Sequence, residues 1–367
     1  MSGDMTSKEI TLFRKNLLTW FETHCRQLPW RETEDPYRIW VSEVMLQQTQ
    51  VKKVQEYYEK FVCRFPDVES LAQAALQDLL KTWEGLGYYA RARNLHKAAQ
   101  VVVEDLAGEI PADYAAFRKL PGVGEYIAAA VQSIAFNQPY AVVDGNVKRV
   151  LARVFLINSP INQSASTKLF QQKADLLLDH TTPGIFNQAM MELGATVCRP
   201  QAPTCIVCPV NTVCRAFQTV RQEEFPVRQK PKPLPEYDMV AAVIHKGNRV
   251  LITQRKLEGL LGGLWEFPGG KIQVKETPEQ ACVRAIREET NLLVKPVEYL
   301  TRVKHAYTHF KIVLDVFHCN YQSGKVALNE AVDYRWITTG QIDQFPFPRS
   351  NHKFIPLLTQ GKEEINE

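Results

Sequence analysis

The feature that most constrains the fold is a change in hydrophobic periodicity at a Pro- and Lys-rich segment, residues 223–237 (EEFPVRQKPKPLPEY). Before this segment, apolar residues recur every three to four positions, as on amphipathic helices. After it, apolar residues alternate with polar ones in short runs, as in half-buried strands. Because closely spaced prolines disfavour helix and sheet interiors, we predict an extended linker here. The chain is therefore predicted to be multidomain, with an all-α domain followed by an α+β domain.

The individual elements follow from the same patterns. The first helix is predicted to begin at a capping box formed by Thr6 and Glu9. Further helices are predicted over 41–65, 70–83, 91–106, 125–136, 145–156, 167–180 and, beyond the linker, 278–291. Two pairs of strands are predicted over 237–255, around the turn Lys246-Gly247-Asn248, and over 298–321.

Length, charge and hydropathy narrow the class of protein. A chain of 367 residues suggests two or three domains. The net charge of +4 is compatible with a polyanionic partner but is weak evidence alone. We find no run of about 18 apolar residues such as a membrane span needs, and the polar start MSGDMTSKEI lacks the apolar core of a signal peptide. We therefore expect a cytoplasmic protein.

Four of the eight cysteines form a cluster with the spacing C-x6-C-x2-C-x5-C: Cys198, Cys205, Cys208 and Cys214. In a reducing compartment such a cluster is seldom a set of disulfides. Four thiolates suit either a tetrahedral zinc ion or an iron–sulfur cluster. The spacing by itself does not distinguish these two metal centres.

The stretch LPGVGEYIAAA, residues 120–130, predicts a tight turn followed by a helix. Gly122 and Gly124 can adopt positive φ and expose backbone N–H groups just before the helix N-terminus. Such an arrangement binds a phosphate without regard to the base it carries. The stretch therefore indicates a nucleic-acid backbone site.

Three elements together resemble the helix-hairpin-helix DNA glycosylase superfamily related to endonuclease III. These are the LPGVG hairpin, the stretch AVVDGNVKRVLAR containing Asp144, and the four-cysteine loop. The stretches RQLPWR, WVSEVMLQQTQV and WEGLGYYARARNL resemble the adenine DNA glycosylase (MutY) branch in particular. The C-terminal part is similar to the MutT-like, Nudix-fold domain of that branch. The resemblance covers nearly the whole chain.

The resemblance implies a domain plan and a cofactor. It assigns a helical glycosylase domain to 1–221, a linker to 222–237 and a MutT-like domain that recognises 8-oxoguanine to 238–360. Within the first domain it implies a six-helix module at about 29–135 with the hairpin at 117–131, and a cluster module from 1–28 and 136–221. The loop 198–214 is then expected to hold a [4Fe–4S] cluster.

The resemblance also implies a reaction, hydrolysis of the N-glycosidic bond of an adenine opposite 8-oxoguanine. The leaving base needs a proton and the sugar develops oxocarbenium character, so one acid and one carboxylate are required. By resemblance, Glu43 protonates the purine N7, Asp144 stabilises the sugar cation and Asn146 orients Asp144. Bifunctional relatives carry a lysine where this chain has Tyr126. Tyrosine cannot form a Schiff base, so we predict base removal without efficient strand cleavage.

Further residues take roles by resemblance alone. The adenine pocket is expected to be formed by Arg26, Trp30, Arg31 and Gln188. Contacts to the duplex and the 8-oxoguanine are expected from Gln48, Thr49, Leu86, Tyr88, Gly122, Gly124, Tyr307, Thr308 and His309. Where the family has Phe-Ser-His, this chain has Tyr-Thr-His, which keeps the hydroxyl. The expected partner is double-stranded DNA containing adenine opposite 8-oxoguanine, bound by a monomer close to the nucleoid of a bacterium.

Three alternatives remain open at this point. Residues 270–292 nearly match a Nudix box, which would make the chain a nucleotide pyrophosphohydrolase fused to a DNA-binding domain. Ala285 replaces one of the box carboxylates that hold Mg²⁺, which argues against that activity. A bifunctional pyrimidine-lesion glycosylase is opposed by Tyr126, and a non-catalytic damage sensor is opposed by the presence of both carboxylates.

Overall fold

The computed structural model describes residues 5–230 and 233–360. Residues 1–4 and the linker positions 231–232 lie outside the described residues. Contacts divide the chain into two compact units. The helical unit comprises Met1–Gln73 with Asn94–Pro231, and the sheet unit comprises Ala74–Arg93 with Lys232–Glu367. Residues 74–93, assigned above to the helical module, thus group with the C-terminal part of the chain.

Twelve helices precede the sheet in the described part of the chain: α1 (Ser7–His24), α2 (Pro36–Leu46), α3 (Val51–Arg64), α4 (Val68–Gln73), α5 (Leu76–Thr82), α6 (Ala90–Asp105), α7 (Tyr114–Phe117), α8 (Glu125–Phe136), α9 (Gly145–Phe155), α10 (Thr167–Leu177), α11 (Pro183–Thr196) and α12 (Arg215–Gln218). Helix α5 and the first turn of α6 belong to the sheet unit. Helix α1 begins at the predicted capping box, since Thr6 and Glu9 each accept a bond from the other's backbone N–H.

Two helices predicted as continuous are interrupted. The stretch 41–65 forms α2 and α3, and between them Gln48 adopts a left-handed φ of 57°. The stretch 70–83 forms α4 and α5, which belong to different units. Hydrophobic periodicity misses both interruptions because it continues across them.

The pairing of helices places the site residues. Helix α2 packs against α8, and α9 packs against α11. The α9–α11 contact is close because position 194 is glycine: a Cβ there would lie 2.6 Å from the Cβ of Asn146. The first residues of α8 and α9 are thereby held beside the buried faces of α2 and α11.

The sheet unit is built on seven strands: β1 (Glu236–Lys246), β2 (Arg249–Gln254), β3 (Trp265–Glu266), β4 (Gly269–Lys271), β5 (Leu293–Ala306), β6 (Lys311–Ser323) and β7 (Asp333–Thr338). The strand order is β3-β2-β1-β6-β5, with β4 paired to β1 and β7 to β2. Only β1 and β6 run parallel among the described pairs. The predicted strand pairs and the predicted helix, α13 (Pro278–Thr290), are confirmed.

Alternation along β1 supplies two cores, one on each face of the sheet. Val240, Ala242 and Ile244 pack with apolar residues of α13. Ala241 and Val243 face the opposite core, which includes residues of the last helix, α14 (Ile355–Gln360). Within the described ranges, we find no helix whose length and apolarity would suffice to cross a bilayer.

Candidate active site

Glu43 and Tyr126 form a hydrogen-bonded pair in the helical unit. Glu43 lies on α2 and is only 4% exposed. The Tyr126 hydroxyl, from the first turn of α8, donates to Oε2 of Glu43 at 2.5 Å. Burial raises the pKa of Glu43 to about 7, although the bond from Tyr126 opposes the shift; the nearby Asp144 adds to it. Near neutral pH this carboxyl can therefore exist as a proton donor.

Asp144 is the N-cap of α9 and is held by two hydrogen bonds. Its Oδ1 accepts from the Val147 N–H at 2.6 Å, and its Oδ2 accepts from the Asn146 amide at 2.8 Å. Burial raises the pKa of Asp144 above its usual value, while these bonds lower it. The carboxylate thus combines a capping role with a fixed orientation.

Asn146 is itself held in place by Arg149, a residue on α9 that is 5% exposed. The guanidinium donates to the Asn146 Oδ1 at 2.8 Å and to the carbonyls of Gly194 and Cys198 at 2.7 Å. A continuous set of hydrogen bonds therefore runs from the first cluster cysteine to Asp144.

Arg26 and Arg31 converge on one buried carboxylate, that of Glu192 on α11. Arg26 binds both oxygens of Glu192, with distances of 2.6 and 2.8 Å. Arg31 donates to Oε2 of the same carboxylate at 2.8 Å and to the Arg26 carbonyl at 3.0 Å. Both guanidinium groups are thereby fixed on one wall of the site.

These groups line a single cavity of about 130 Å³ in the helical unit. The cavity brings together all eight predicted catalytic and adenine-pocket residues: Arg26, Trp30, Arg31, Glu43, Tyr126, Asp144, Asn146 and Gln188. Thr49 also lines it, whereas Gln48 does not. The remaining walls include Leu28, Leu46 and Met191. The cavity thus has mixed polar and apolar walls, and the polar ones include an acid, a carboxylate and fixed cations.

Only one of the two hairpin glycines before α8 uses the positive φ that both can adopt. Gly122 has a φ of 76°. Gly124 has a φ of −84° and an extended ψ. Gly124 is the N-cap of α8, and the backbone of an N-cap residue is typically extended. Any residue can adopt this conformation. A Cβ at Gly124 would meet no atom within 4 Å, so the space in front of this helix end is open.

Leu86 and Tyr88, which were predicted to contact the duplex, lie in the sheet unit. Leu86 is buried, with 6% exposure, while Tyr88 is 40% exposed. The Tyr88 hydroxyl is 2.8 Å from the Thr308 hydroxyl, and His309 is exposed beside it. Tyr307 instead points inward, with its hydroxyl 3.0 Å from that of Ser350. Tyr88 and Thr308, which were both predicted to contact the DNA, are therefore in direct contact with each other.

The segment that carries Leu86 and Tyr88 is tied to the rest of the sheet unit. The Gln77 amide donates to the Gly263 carbonyl at 3.0 Å and accepts from the Trp265 indole at 3.0 Å. Glu84 accepts from the Phe347 N–H at 2.7 Å and is 2.9 Å from a ring nitrogen of His352. The segment carrying Leu86 and Tyr88 therefore depends on C-terminal residues of the sheet unit for its position.

The four clustered cysteines line one small cavity in the helical unit, together with apolar side chains and Arg153. Arg153 is 1% exposed and donates to the Cys198 sulfur at 3.3 Å. Among the described residues, no three His, Cys, Asp or Glu side chains are arranged as a site for a single metal ion. The shared cavity and the donor to sulfur fit a centre that the four thiolates surround.

Charged residues of the Nudix-like segment, residues 270–292, form a network of ion pairs. Arg284 binds Glu276 through two nitrogens, at 2.5 and 2.8 Å, and also binds Glu288 at 2.7 Å. Burial raises the pKa of Glu289 to about 8, and the neighbouring Glu266 adds to the shift. Ala285 is buried in the core. Glu276 and Glu288 thus bind Arg284, and Glu289 favours its protonated form.

Two site residues were missed by the sequence analysis, Glu192 and Arg149. Glu192 lies four residues after Gln188 on a helix with no other charged residue, so the two share a helix face. A lone carboxyl in such a helix was the available signal, the same one that Glu43 gives on α2. Arg149 gives no comparable signal, because basic residues are common on exposed helix faces.

Comparison with known proteins agrees with this geometry. Residues 41–175 match the model described as "HhH-GPD superfamily base excision DNA repair protein", and residues 239–357 match "NUDIX domain". A solved structure titled as a thermostable thymine-DNA glycosylase aligns with 59% of this chain and 100% of its own, at a TM-score of 0.54 and 32% identity.

Three relatives align with nearly the whole of this chain. The adenine DNA glycosylases of Rattus norvegicus and Homo sapiens are each 36% identical to this chain over 90% of its length, covering 74% and 71% of those proteins. The enzyme of Schizosaccharomyces pombe is 31% identical over 92% of this chain and 87% of its own. The chain therefore belongs to the adenine DNA glycosylase family, enzymes that hydrolyse an N-glycosyl bond in base excision repair.

Proposed function

We propose that the protein removes adenine paired with 8-oxoguanine, and with guanine, from double-stranded DNA, and that it does so without cleaving the strand. The observation that carries this proposal is the contact between a protonatable Glu43 and Tyr126 in a cavity that also contains Asp144. Glu43 can supply a proton and Asp144 can remain a carboxylate. Departure of a base from a sugar requires both.

Glu43 is the general acid in this proposal. Its raised pKa keeps a fraction of the carboxyl protonated at neutral pH, and its burial limits contact with water that would compete for the proton. Protonation of N7 converts adenine into a neutral leaving group, and the electrons of the glycosidic bond go to the base.

Asp144 stabilises the cation that develops on the sugar. The two hydrogen bonds to its oxygens favour the ionised form, and Asn146 fixes the direction in which the carboxylate faces. A preoriented negative charge is worth most in a site with little water. Water, with Asp144 as its base, then completes the hydrolysis.

Tyr126 determines that the reaction ends at base removal. A phenol cannot form the Schiff base through which a lysine would cleave the strand. Its hydroxyl instead donates to Glu43, and its pKa is raised well above the ordinary value by burial and by the nearby carboxylates. The tyrosine therefore remains a neutral hydrogen-bond donor throughout the reaction.

In this proposal, Tyr88, Thr308 and His309 of the sheet unit recognise the 8-oxoguanine. The backbone N–H groups before α8 bind a DNA phosphate. The base-specific cavity is expected to hold the flipped adenine. We also propose that the protein acts as a monomer on DNA in the cytoplasm, near the bacterial nucleoid.

A [4Fe–4S] cluster bound by Cys198, Cys205, Cys208 and Cys214 is the proposed cofactor. It would stabilise the loop 198–214 and take no part in the base chemistry. The Arg153 donor to the Cys198 sulfur is of the kind that stabilises thiolate ligands.

A duplex containing one adenine opposite 8-oxoguanine tests the proposal. After incubation, strand breaks should appear only when the product is treated with alkali, and a matched A:T duplex should not react. Breaks without alkali would indicate a bifunctional enzyme. No reaction in either case, with hydrolysis of 8-oxo-dGTP to 8-oxo-dGMP and pyrophosphate in the presence of Mg²⁺, would instead favour the Nudix hydrolase.

A further inference from the structure

Glu192 is the most deeply buried charged group at the site. Its side chain is fully buried, whereas those of Arg26 and Arg31 are 39% and 14% exposed. Burial raises the pKa of Glu192, but the bonds from both arginines outweigh it and hold the pKa below the usual value. The carboxylate is therefore ionised, and it balances one of the two positive charges beside the cavity.

This charge matters because Arg31 lies close enough to Glu43 to act on it. The positive charge of Arg31 favours the ionised form of Glu43. The other charged or titratable groups facing Glu43 are Tyr126 on α8 and Asp144 at the start of α9. Of these neighbours, only Arg31 lowers the proton affinity of Glu43 through its charge.

We propose that Glu192 is a positioning residue for base excision: it fixes Arg26 and Arg31 on the wall of the cavity and offsets their charge, so that Glu43 keeps its proton and the sugar cation is not repelled. This inference rests on the proposed roles of Glu43 and Asp144. Glu192 touches neither of them, and it acts through the two arginines.

The substitution Glu192→Gln removes the negative charge of this side chain and leaves its shape nearly unchanged, so it tests the effect of the charge. The amide nitrogen would face an arginine N–H, so one arginine loses its acceptor and its charge is no longer offset. A nearby unbalanced cation lowers the pKa of a carboxyl by about 1–3 units. The alkaline limb of the single-turnover rate should therefore move to lower pH by about one unit or more, while binding of the mispaired duplex is retained.

The variant Glu192→Asp is the matched control, because it keeps the charge and shortens the side chain. Its rate should fall, but its alkaline limb should stay within a few tenths of a unit of the wild-type position. The double variant Glu192→Gln with Arg31→Gln removes both charges and should return the limb toward the wild-type position. Thermal melting of each variant reports whether it is folded.

If Glu192→Gln slows excision by the same factor at every pH, Glu192 has only a structural role and the inference is overturned. If that variant does not fold, Arg31→Gln alone decides: with Glu192 still bound to Arg26, the limb should move to higher pH, and an unmoved limb contradicts the inference. A wild-type protein that does not excise adenine would refute the proposed function instead.

Discussion

The hydrogen bond from Tyr126 to Glu43 makes a quantitative prediction about the pH dependence of excision. The bond favours the ionised carboxylate and thus opposes the effect of burial on the pKa of Glu43. In Tyr126→Phe this donor is lost while the ring remains. The pKa of Glu43 should therefore rise above its wild-type value of about 7, and the alkaline limb of the rate should move to higher pH.

The size of the shift follows from the strength of the bond. A hydrogen bond to a charged acceptor is worth about 1.5–3 kcal/mol, and one pKa unit corresponds to about 1.4 kcal/mol. Loss of the bond should thus raise the pKa of Glu43 by about one to two units. Titration of one acid near pH 7 would reduce the wild-type rate about 30-fold between pH 6 and 8.5, against about fourfold or less in the variant.

The assay is single-turnover excision of adenine opposite 8-oxoguanine across this pH range. Asp144 titrates in both proteins, so the ratio of variant to wild-type rates isolates Glu43; the ratio should rise with pH even if the variant is slower at pH 6. Tyr140→Phe serves as a control, because Tyr140 stacks on Tyr114 and does not line the cavity. A ratio that is constant with pH would refute the assignment of Glu43 as the acid.

Three further predictions follow from the structure. Asp144→Asn should abolish excision but retain duplex binding and melting temperature, because Asn caps a helix as well as Asp; activity within about tenfold of wild type would contradict the role of Asp144. Protein purified without oxygen should be yellow-brown and contain about four irons per chain, and a colourless protein with one zinc would refute the proposed cluster. Deleting residues 232–367 should leave adenine removal in kind but reduce the preference for 8-oxoguanine over guanine, because Thr308 and His309 are lost and the loop carrying Tyr88 loses its partners; an unchanged preference would show that the sheet unit is not the reader.

Local patterns in the sequence were sufficient for most of the fold. The capping box at Thr6, the turn at Gly247 and the helix over 278–290 depend on residues close together in the chain, so their prediction needs no tertiary information. The breaks after Leu46 and Gln73 were missed because apolar residues continue through them. Glycine permits positive φ without requiring it, so the sequence did not specify that Gly122 adopts this conformation and Gly124 does not.

By itself, the sequence determined the succession of a helical and an α+β domain, the cysteine spacing and, through resemblance, the pair Glu43 and Asp144. These depend on the order of residue types along the chain. Tertiary structure alone decided that Tyr126 donates to Glu43, that Glu192 holds two arginines, and that residues 74–93 group with the C-terminal part of the chain. Such contacts join residues 83 to 268 positions apart, and their strength depends on burial, which no local pattern specifies.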